Sequence, residues 1–257
     1  METHLLHEIA SDGVLLLRIN RPTRRNALTK QLVIDIAAKL DEAASSDIIR
    51  TVVLTGDERA FCAGADIHEM NERGLSAILD EDRLAAWRVI ESFPKPLIAA
   101  VRGFALGAGN ELAMLCDLVV AGENSQFGQP EAKIGGMAGD GGTQRLPRLI
   151  GRQFATKMLL TGAPMSALEA KELGLVCDVV ADDRVVETAI KLAATIAENA
   201  PLSVAVTKAL IKLAYESNLT DGLRYEREAL IKIFQSDDRV EGMRAFADKR
   251  RPSWSGH

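Results

Sequence analysis

Two glutamates stand out by what precedes them. Glu111 closes the run Gly103-Phe104-Ala105-Leu106-Gly107-Ala108-Gly109-Asn110-Glu111, which holds three glycines within seven residues. The apolar run 97–101 before it and the apolar segment 112–115 after it read as a buried strand, a tight turn and a helix start. Glycine admits positive φ and close ligand approach, so the bare N–H groups of that first helical turn suit a developing negative charge. Taken alone, Glu111 is a carboxylate complementing the helix dipole, worth roughly 0.3–1 kcal/mol. A second turn changes the balance: Gln129-Pro130-Glu131 precedes Gly135-Gly136-Met137-Ala138-Gly139-Asp140-Gly141-Gly142, and residues 143–150 read as helix. If neighbouring strands bring both turns to one rim, Glu111 and Glu131 face each other across a small gap. Paired carboxylates with separated pKa values run acid and base chemistry together near neutral pH.

The elements that must position these turns are legible around them. The 257 residues are 47% hydrophobic and 26% charged, which describes one large globular domain or a domain with an appendage. A formal net charge of −5 argues against a general nucleic-acid surface, so an anionic ligand must meet a local basic cluster. Cys62, Cys116 and Cys177 are scattered and odd in number, which is neither a disulfide framework nor a zinc motif and suits a reducing compartment. With no eighteen-residue apolar run, and with glutamates and histidines among residues 1–9, the expectation is a cytoplasmic chain without leader or membrane segment.

Residues 5–9 and 14–19 read as a hairpin across Ser11-Asp12-Gly13, and Asn20-Arg21-Pro22 ends it. Leu28, Leu32, Ile36 and Leu40 then repeat at the spacing of a buried helix face. Arg24 and Arg25 before that helix suit a phosphate or a plain exposed loop. Residues 51–56 read as a buried strand, with Phe61-Cys62-Ala63-Gly64-Ala65-Asp66-Ile67 as a small-residue loop that offers backbone rather than side chains. Residues 75–91 read as one amphipathic helix, ended before Pro94-Lys95-Pro96. Strand, glycine-rich turn and helix thus recur over 51–66, 97–112 and 117–143, which argues for an α/β fold with parallel strands and ligands at one rim. Beyond residue 151 helix dominates. Residues 165–174 form a helix with Ser166 as N-cap, Glu169 completing the capping box and Gly174 at the end. Residues 176–180 are one more strand, and 182–251 are helical with breaks at Pro201 and Asp221-Gly222.

Four motifs in order, Phe61-Cys62-Ala63-Gly64-Ala65-Asp66-Ile67, Gly107-Ala108-Gly109-Asn110-Glu111-Leu112-Ala113, Phe127-Gly128-Gln129-Pro130-Glu131 and Gly141-Gly142-Thr143-Gln144-Arg145-Leu146, resemble the crotonase superfamily, specifically the enoyl-CoA hydratases. The resemblance runs from the Asn20-Arg21-Pro22 turn to Phe246-Ala247-Asp248-Lys249-Arg250. It implies an α/β spiral of ββα units over 1–195 and a helical C-terminal region over 196–257 that assembles a homotrimer or a hexamer, a dimer of trimers. It implies that the N–H groups of Ala65 and Ala108 form the hole for a thioester oxygen, that Glu111 and Glu131 are the catalytic pair, and that the Gly139 N–H helps hold the water. The substrate it implies is an acyl-CoA thioester, with CoA contacted by Arg24, Arg25, the loop Ala63, Ala65, Asp66, Ile67 and His68, and Phe246 and Lys249 from a neighbouring subunit. Neither a metal nor a separate cofactor is implied, since coenzyme A is part of the substrate, and neither nucleic acid nor membrane is an expected partner.

Two positions depart from the pattern: His68 stands where lysine is common, and Asp140 where alanine is usual. Asp140 reads as a helix N-cap, or else as a third carboxylate beside Glu131. Segments 96–101, 105–109 and 119–124 are similar to 2,3-dehydroadipyl-CoA hydratases. An isomerase, an acyl-CoA hydrolase of the same fold and a non-catalytic RNA-binding homologue are the alternatives; the first usually keeps only one of the two glutamates.

Overall fold

The computed structural model describes residues 3–257; Met1 and Glu2, where the reading of a leaderless start began, lie outside them. The main sheet has the order β1 (Leu5–Ser11), β2 (Val14–Ile19), β3 (Thr51–Thr55), β5 (Leu97–Val101), β7 (Leu118–Gly122), β10 (Asp178–Val180). Only the β1–β2 hairpin is antiparallel; every later neighbour is parallel, as the alternation of strand and helix required. Strand periodicity assigns its two faces. Val14, Leu16, Val53, Ile98, Ala100 and Val120 pack against Val185, Ala189 and Ala193 of α9 (Val185–Ala197). Leu15, Leu17, Val52, Leu54, Ala99 and Val101 face the larger core, which includes α1 (Lys30–Ala44) and α4 (Glu81–Glu91).

That larger core also holds a second sheet, β4 (Ala60–Cys62), β6 (Phe104–Leu106), β8 (Gln126–Gly128) and β9 (Met165–Ser166), whose first three strands are parallel. Each recurring unit is therefore strand, short strand, helix. The sequence pattern shows one strand per unit because a three-residue strand carries no measurable period. Phe61 and Cys62, the first two residues of the expected loop 61–67, belong to the fully buried β4. Its place is set by backbone bonds to distant residues, such as the Phe61 N–H to Arg102 C=O bond of 2.8 Å.

The remaining elements are α2 (Ile67–Arg73), α3 (Leu75–Ile78), α5 (Ala108–Leu115), α6 (Gly142–Ile150), α7 (Arg152–Thr161), α8 (Ala167–Glu172), α10 (Pro201–Ala214), α11 (Leu219–Phe234) and α12 (Asp237–Ala247). Three expectations need correction. The helix expected over 75–91 breaks at Asp80, whose carboxylate accepts from Arg83 N–H, starts α4 and takes ion pairs from Lys30 and Arg73. The strand over 176–180 is only Asp178–Val180, because the Leu175 and Val176 N–H groups close the turn after α8 onto Ala170 C=O. Asp221-Gly222 lies within α11; the break is Asn218, whose side chain accepts from Asp221 N–H. The Ser166–Glu169 capping box and the start of α10 at Pro201 are as expected. α10 and α11 contain no buried residue, and Ile211, Tyr215, Leu219, Leu223, Ile231, Phe234, Met243 and Phe246 leave an apolar surface on α10–α12 exposed.

Candidate active site

The three short parallel strands end within a residue of one another, so the segments that follow them meet at one rim. Cys62 pairs Ala105, and Leu106 pairs Gly128. Beyond these ends come Ala63-Gly64-Ala65, Gly107-Ala108 and Gln129-Pro130-Glu131.

The first of these segments is zippered to the turn after β2. Ala63 N–H donates to Arg25 C=O, Leu28 N–H to Gly64 C=O, and Asp66 N–H to Leu28 C=O, at 3.0, 2.8 and 2.8 Å. Because Gly64 C=O and Asp66 N–H take the bonds of this parallel bridge, the Ala65 N–H is turned to the side away from Leu28, where β6 lies. Buried Asn26 fixes the same turn, accepting from Arg21 N–H at 2.8 Å and donating to Ala60 C=O at 2.7 Å.

The second segment makes its turn at Gly107, with φ 53°, and Ala108 is the first residue of α5. A first-turn N–H has no carbonyl four residues back, and no side chain caps this helix, so the Ala108 N–H is left pointing out of the turn. A β-carbon on Gly107 would lie 2.9 Å from Glu131 Oε1. The Glu131 carboxylate therefore sits directly against the residue before Ala108.

Glu111, one turn into α5, is 1% exposed. Its Oε1 accepts from Gly142 N–H at 2.7 Å and Asp140 N–H at 2.9 Å, while Oε2 has no protein partner among the described residues. Burial pushes its carboxyl up to about 7; the Asp140 and Glu131 charges add to that push, and the two N–H donors oppose it. Glu131 is half-buried on a 3-10 turn, and burial first, then Asp140, raises its carboxyl too. Buried Gln129 packs between Glu131 and Gly142. With its amide nitrogen toward Glu131 it donates to Oε1 at 3.0 Å and Oε2 at 3.2 Å. The same amide lies 2.9 Å from where a Gly142 β-carbon would be, as does Glu111 Oε1, so only glycine fits at 142.

Asp140 is not a helix cap. Gly141 occupies that position without a side-chain bond, and the Asp140 carboxylate forms a two-point ion pair with Arg83 of α4, at 2.9 and 2.5 Å. Gly139 lies in the same loop, one residue before the N–H that Glu111 takes.

The other expected contacts divide. Arg24 and Arg25 are exposed on the turn that holds the Ala63 loop, and Ile67 and His68 are exposed on the first turn of α2. Asp66 has its side chain occupied: it caps α2 by accepting from His68 and Glu69 N–H and pairs with Arg21 at 2.9 Å. Burial works to raise its carboxyl, but Arg21 and the two N–H donors outweigh this and hold it below the usual range. Phe246, 88% exposed, and Lys249 are not brought to the rim within one chain; the bonds that anchor the segment after α12 go to Glu241, Asp238 and Glu198. Sequence reasoning missed Gln129 and Arg83. For Gln129 the signal was a polar residue placed between the buried strand end at Gly128 and Glu131; for Arg83, among the many charges of α4, there was none.

A sequence model described as enoyl-CoA hydratase/isomerase matches residues 9–257. The chain is 46% identical over 243 residues to the 2,3-dehydroadipyl-CoA hydratase of Escherichia coli (strain K12), covering 95% of each chain. It is 43% identical to the probable mitochondrial enoyl-CoA hydratase of Dictyostelium discoideum, over 93% of this chain and 86% of that one. Among solved structures, enoyl-CoA hydratase from Bacillus anthracis superposes with a TM-score of 0.94 at 36% identity, over 99% of this chain and all of that one. The corresponding subunit from Geobacillus kaustophilus HTA426 gives 0.93 at 40% identity, over 99% of both.

Proposed function

The chain belongs to the enoyl-CoA hydratase/isomerase family, and from that premise we infer that it is an enoyl-CoA hydratase, adding water across the α,β double bond of a 2-enoyl-CoA thioester to give the 3-hydroxyacyl-CoA. The observation that carries this reading is the convergence of two carboxylates with raised proton affinity, Glu111 and Glu131, beside two backbone N–H groups left over by the folding of their own turns.

The roles follow from position. The N–H groups of Ala65 and Ala108 grip the thioester oxygen as negative charge passes onto it, an effect whose loss typically costs about 10²–10³ in rate. Glu131 lies against Gly107, next to that oxygen and hence next to Cα, so it delivers the proton to Cα. Glu111 uses the oxygen that no N–H occupies to take a proton from water as the water attacks Cβ, with the Gly139 N–H helping to hold the water. Two coupled carboxylates titrate as a pair, and after the product leaves, the proton on Glu111 passes to Glu131 through the next water to enter, which resets the site. The reaction needs no metal or separate cofactor; CoA arrives with the substrate. Arg24, Arg25, His68 and the backbone of residues 63–67 run along the CoA.

The oligomer belongs to the same proposal. The exposed apolar surface of α10–α12 supports assembly as a homotrimer or a hexamer, in which Phe246 and Lys249 of one subunit reach the CoA of the next. A cytoplasmic setting and a place in β-oxidation-type breakdown of acyl chains complete it. Incubation with crotonyl-CoA, longer 2-enoyl-CoA esters and 2,3-dehydroadipyl-CoA tests the activity: loss of the conjugated thioester absorbance with a 3-hydroxyacyl-CoA product is expected, and release of free thiol or no turnover on any ester rejects it.

A further inference from the structure

Asp140 is held at three points. Its carboxylate is clamped by both Nη atoms of Arg83, its C=O accepts from Arg145 Nη1 at 3.0 Å, and its N–H donates to Glu111 Oε1. Arg145 is itself anchored to Glu91 of α4 at 2.6 Å, and Arg83 stacks over Trp87 of the same helix, 5.7 Å from the ring centre. Two guanidinium groups thus tie the loop before α6 to α4, and the peptide they tie is the one that orients Glu111. Arg83 and Asp140 are about one-tenth exposed, so the pair is little screened by solvent.

We infer that the Arg83–Asp140 pair is a positioning device for the hydration reaction: it fixes the peptide that aims Glu111 and neutralises a carboxylate that would otherwise oppose the ionisation of Glu111. This rests on the reading of Glu111 as the group that takes the proton from water. The charged groups facing Glu111 are Glu131 on the 3-10 turn after β8 and Asp140 before α6; behind Asp140 stand Arg83, Arg145 and Glu91. Removing Arg83 leaves the Asp140 charge bare, which disfavours ionised Glu111 and moves its titration to higher pH. Removing Asp140 moves it lower.

The test is the pH dependence of kcat and kcat/KM for the full-length enzyme with crotonyl-CoA, in Arg83→Met, Arg83→Lys, Asp140→Ala and the double variant Arg83→Met/Asp140→Ala. Arg83→Met is expected to lower kcat by about tenfold with KM changed less than about threefold, and to shift the acid limb to higher pH. Asp140→Ala is expected to shift it to lower pH, the double variant to return it toward the wild-type position, and Arg83→Lys, which keeps the charge, to hold the wild-type limb at a reduced kcat. Acid limbs that superimpose in all four variants, whatever the loss of kcat or melting temperature, would overturn the inference; so would a downward shift in Arg83→Met. Glu111→Gln in the same assay separates the two levels, since full activity there rejects the role of Glu111 itself.

Discussion

The Glu131 carboxylate lies over the open side of Gly107, where a β-carbon would stand 2.9 Å from Oε1. The turn that presents the Ala108 N–H and the carboxylate proposed to serve Cα thus occupy adjoining space, and the φ of 53° at Gly107 shapes both. A side chain at this position would strain the turn and push the Glu131 carboxylate aside.

Gly107→Ala is expected to destabilise the fold by roughly 1–3 kcal/mol, the usual cost of a non-glycine residue in such a backbone region. By displacing Glu131 it is also expected to lower kcat at least tenfold. Thermal melting and steady-state kinetics on one preparation measure both, and a stable variant with wild-type kcat would show that the contact is incidental.

Glu111→Gln and Glu131→Gln remove the proposed acid–base function while keeping shape. Each is expected to lower kcat by about 10²–10⁴, the range of general acid–base catalysis, with a much smaller change in KM. If the two carboxylates act on one water, as proposed, the double variant is expected to fall little further than the worse single one. Multiplicative losses would indicate two independent sites.

The raised carboxyl of Glu111 carries a stability signature. Its proton affinity is raised from 4.5 to about 7 by burial, so between those values the folded chain holds a proton that the unfolded chain has released. The contribution of this group is most favourable below pH 4.5 and is lost as pH rises toward 7. Glu111→Gln abolishes that loss. It is expected to melt above the wild type at pH 8, by on the order of 2 kcal/mol, with the difference vanishing near pH 4.5. An equal difference at both pH values would contradict the assignment.

Asn26→Ala deletes a buried side chain that bridges Arg21 N–H and Ala60 C=O, at a backbone φ of 59° that asparagine tolerates better than alanine. A cost of roughly 2–3 kcal/mol is expected. KM for CoA esters is expected to rise more than kcat falls, since the Arg24–Arg25 turn and the Ala63 loop both hang on this bridge. Chemical denaturation and a kcat-against-KM comparison check it, and an unchanged KM would detach the bridge from CoA binding.

How far the site was legible depends on how local its signals are. Glycine-rich turns followed by Glu111 and preceded by Glu131 announce themselves in a few residues, and the Ser166–Glu169 box is a four-residue code that the structure repeats. The strands that align those turns are only three residues long and are stitched by bonds to distant backbone, such as Gln126 N–H to Gly103 C=O at 2.9 Å, so no window of sequence contains them. Asp140 illustrates the other limit. Beside Gly141 it has the look of a cap, yet its partner lies 57 residues away on α4, and that ion pair took precedence over the local one. Asp221-Gly222 failed as a break for the converse reason: Asn218 caps α11 and carries glycine at 222 as an ordinary helical residue.

In the proposed reaction one water, held between Glu111 and Glu131, is added across the double bond while the N–H groups of Ala65 and Ala108 hold the thioester oxygen. Turnover of crotonyl-CoA in water enriched in oxygen-18 and deuterium, with the product read by mass spectrometry and NMR, tests it most directly. One heavy oxygen at Cβ and one deuterium at Cα, added to the same face, are expected, with both labels lost together in Glu111→Gln. Double-bond migration without oxygen incorporation, or label at the thioester carbonyl with release of CoA, would contradict it.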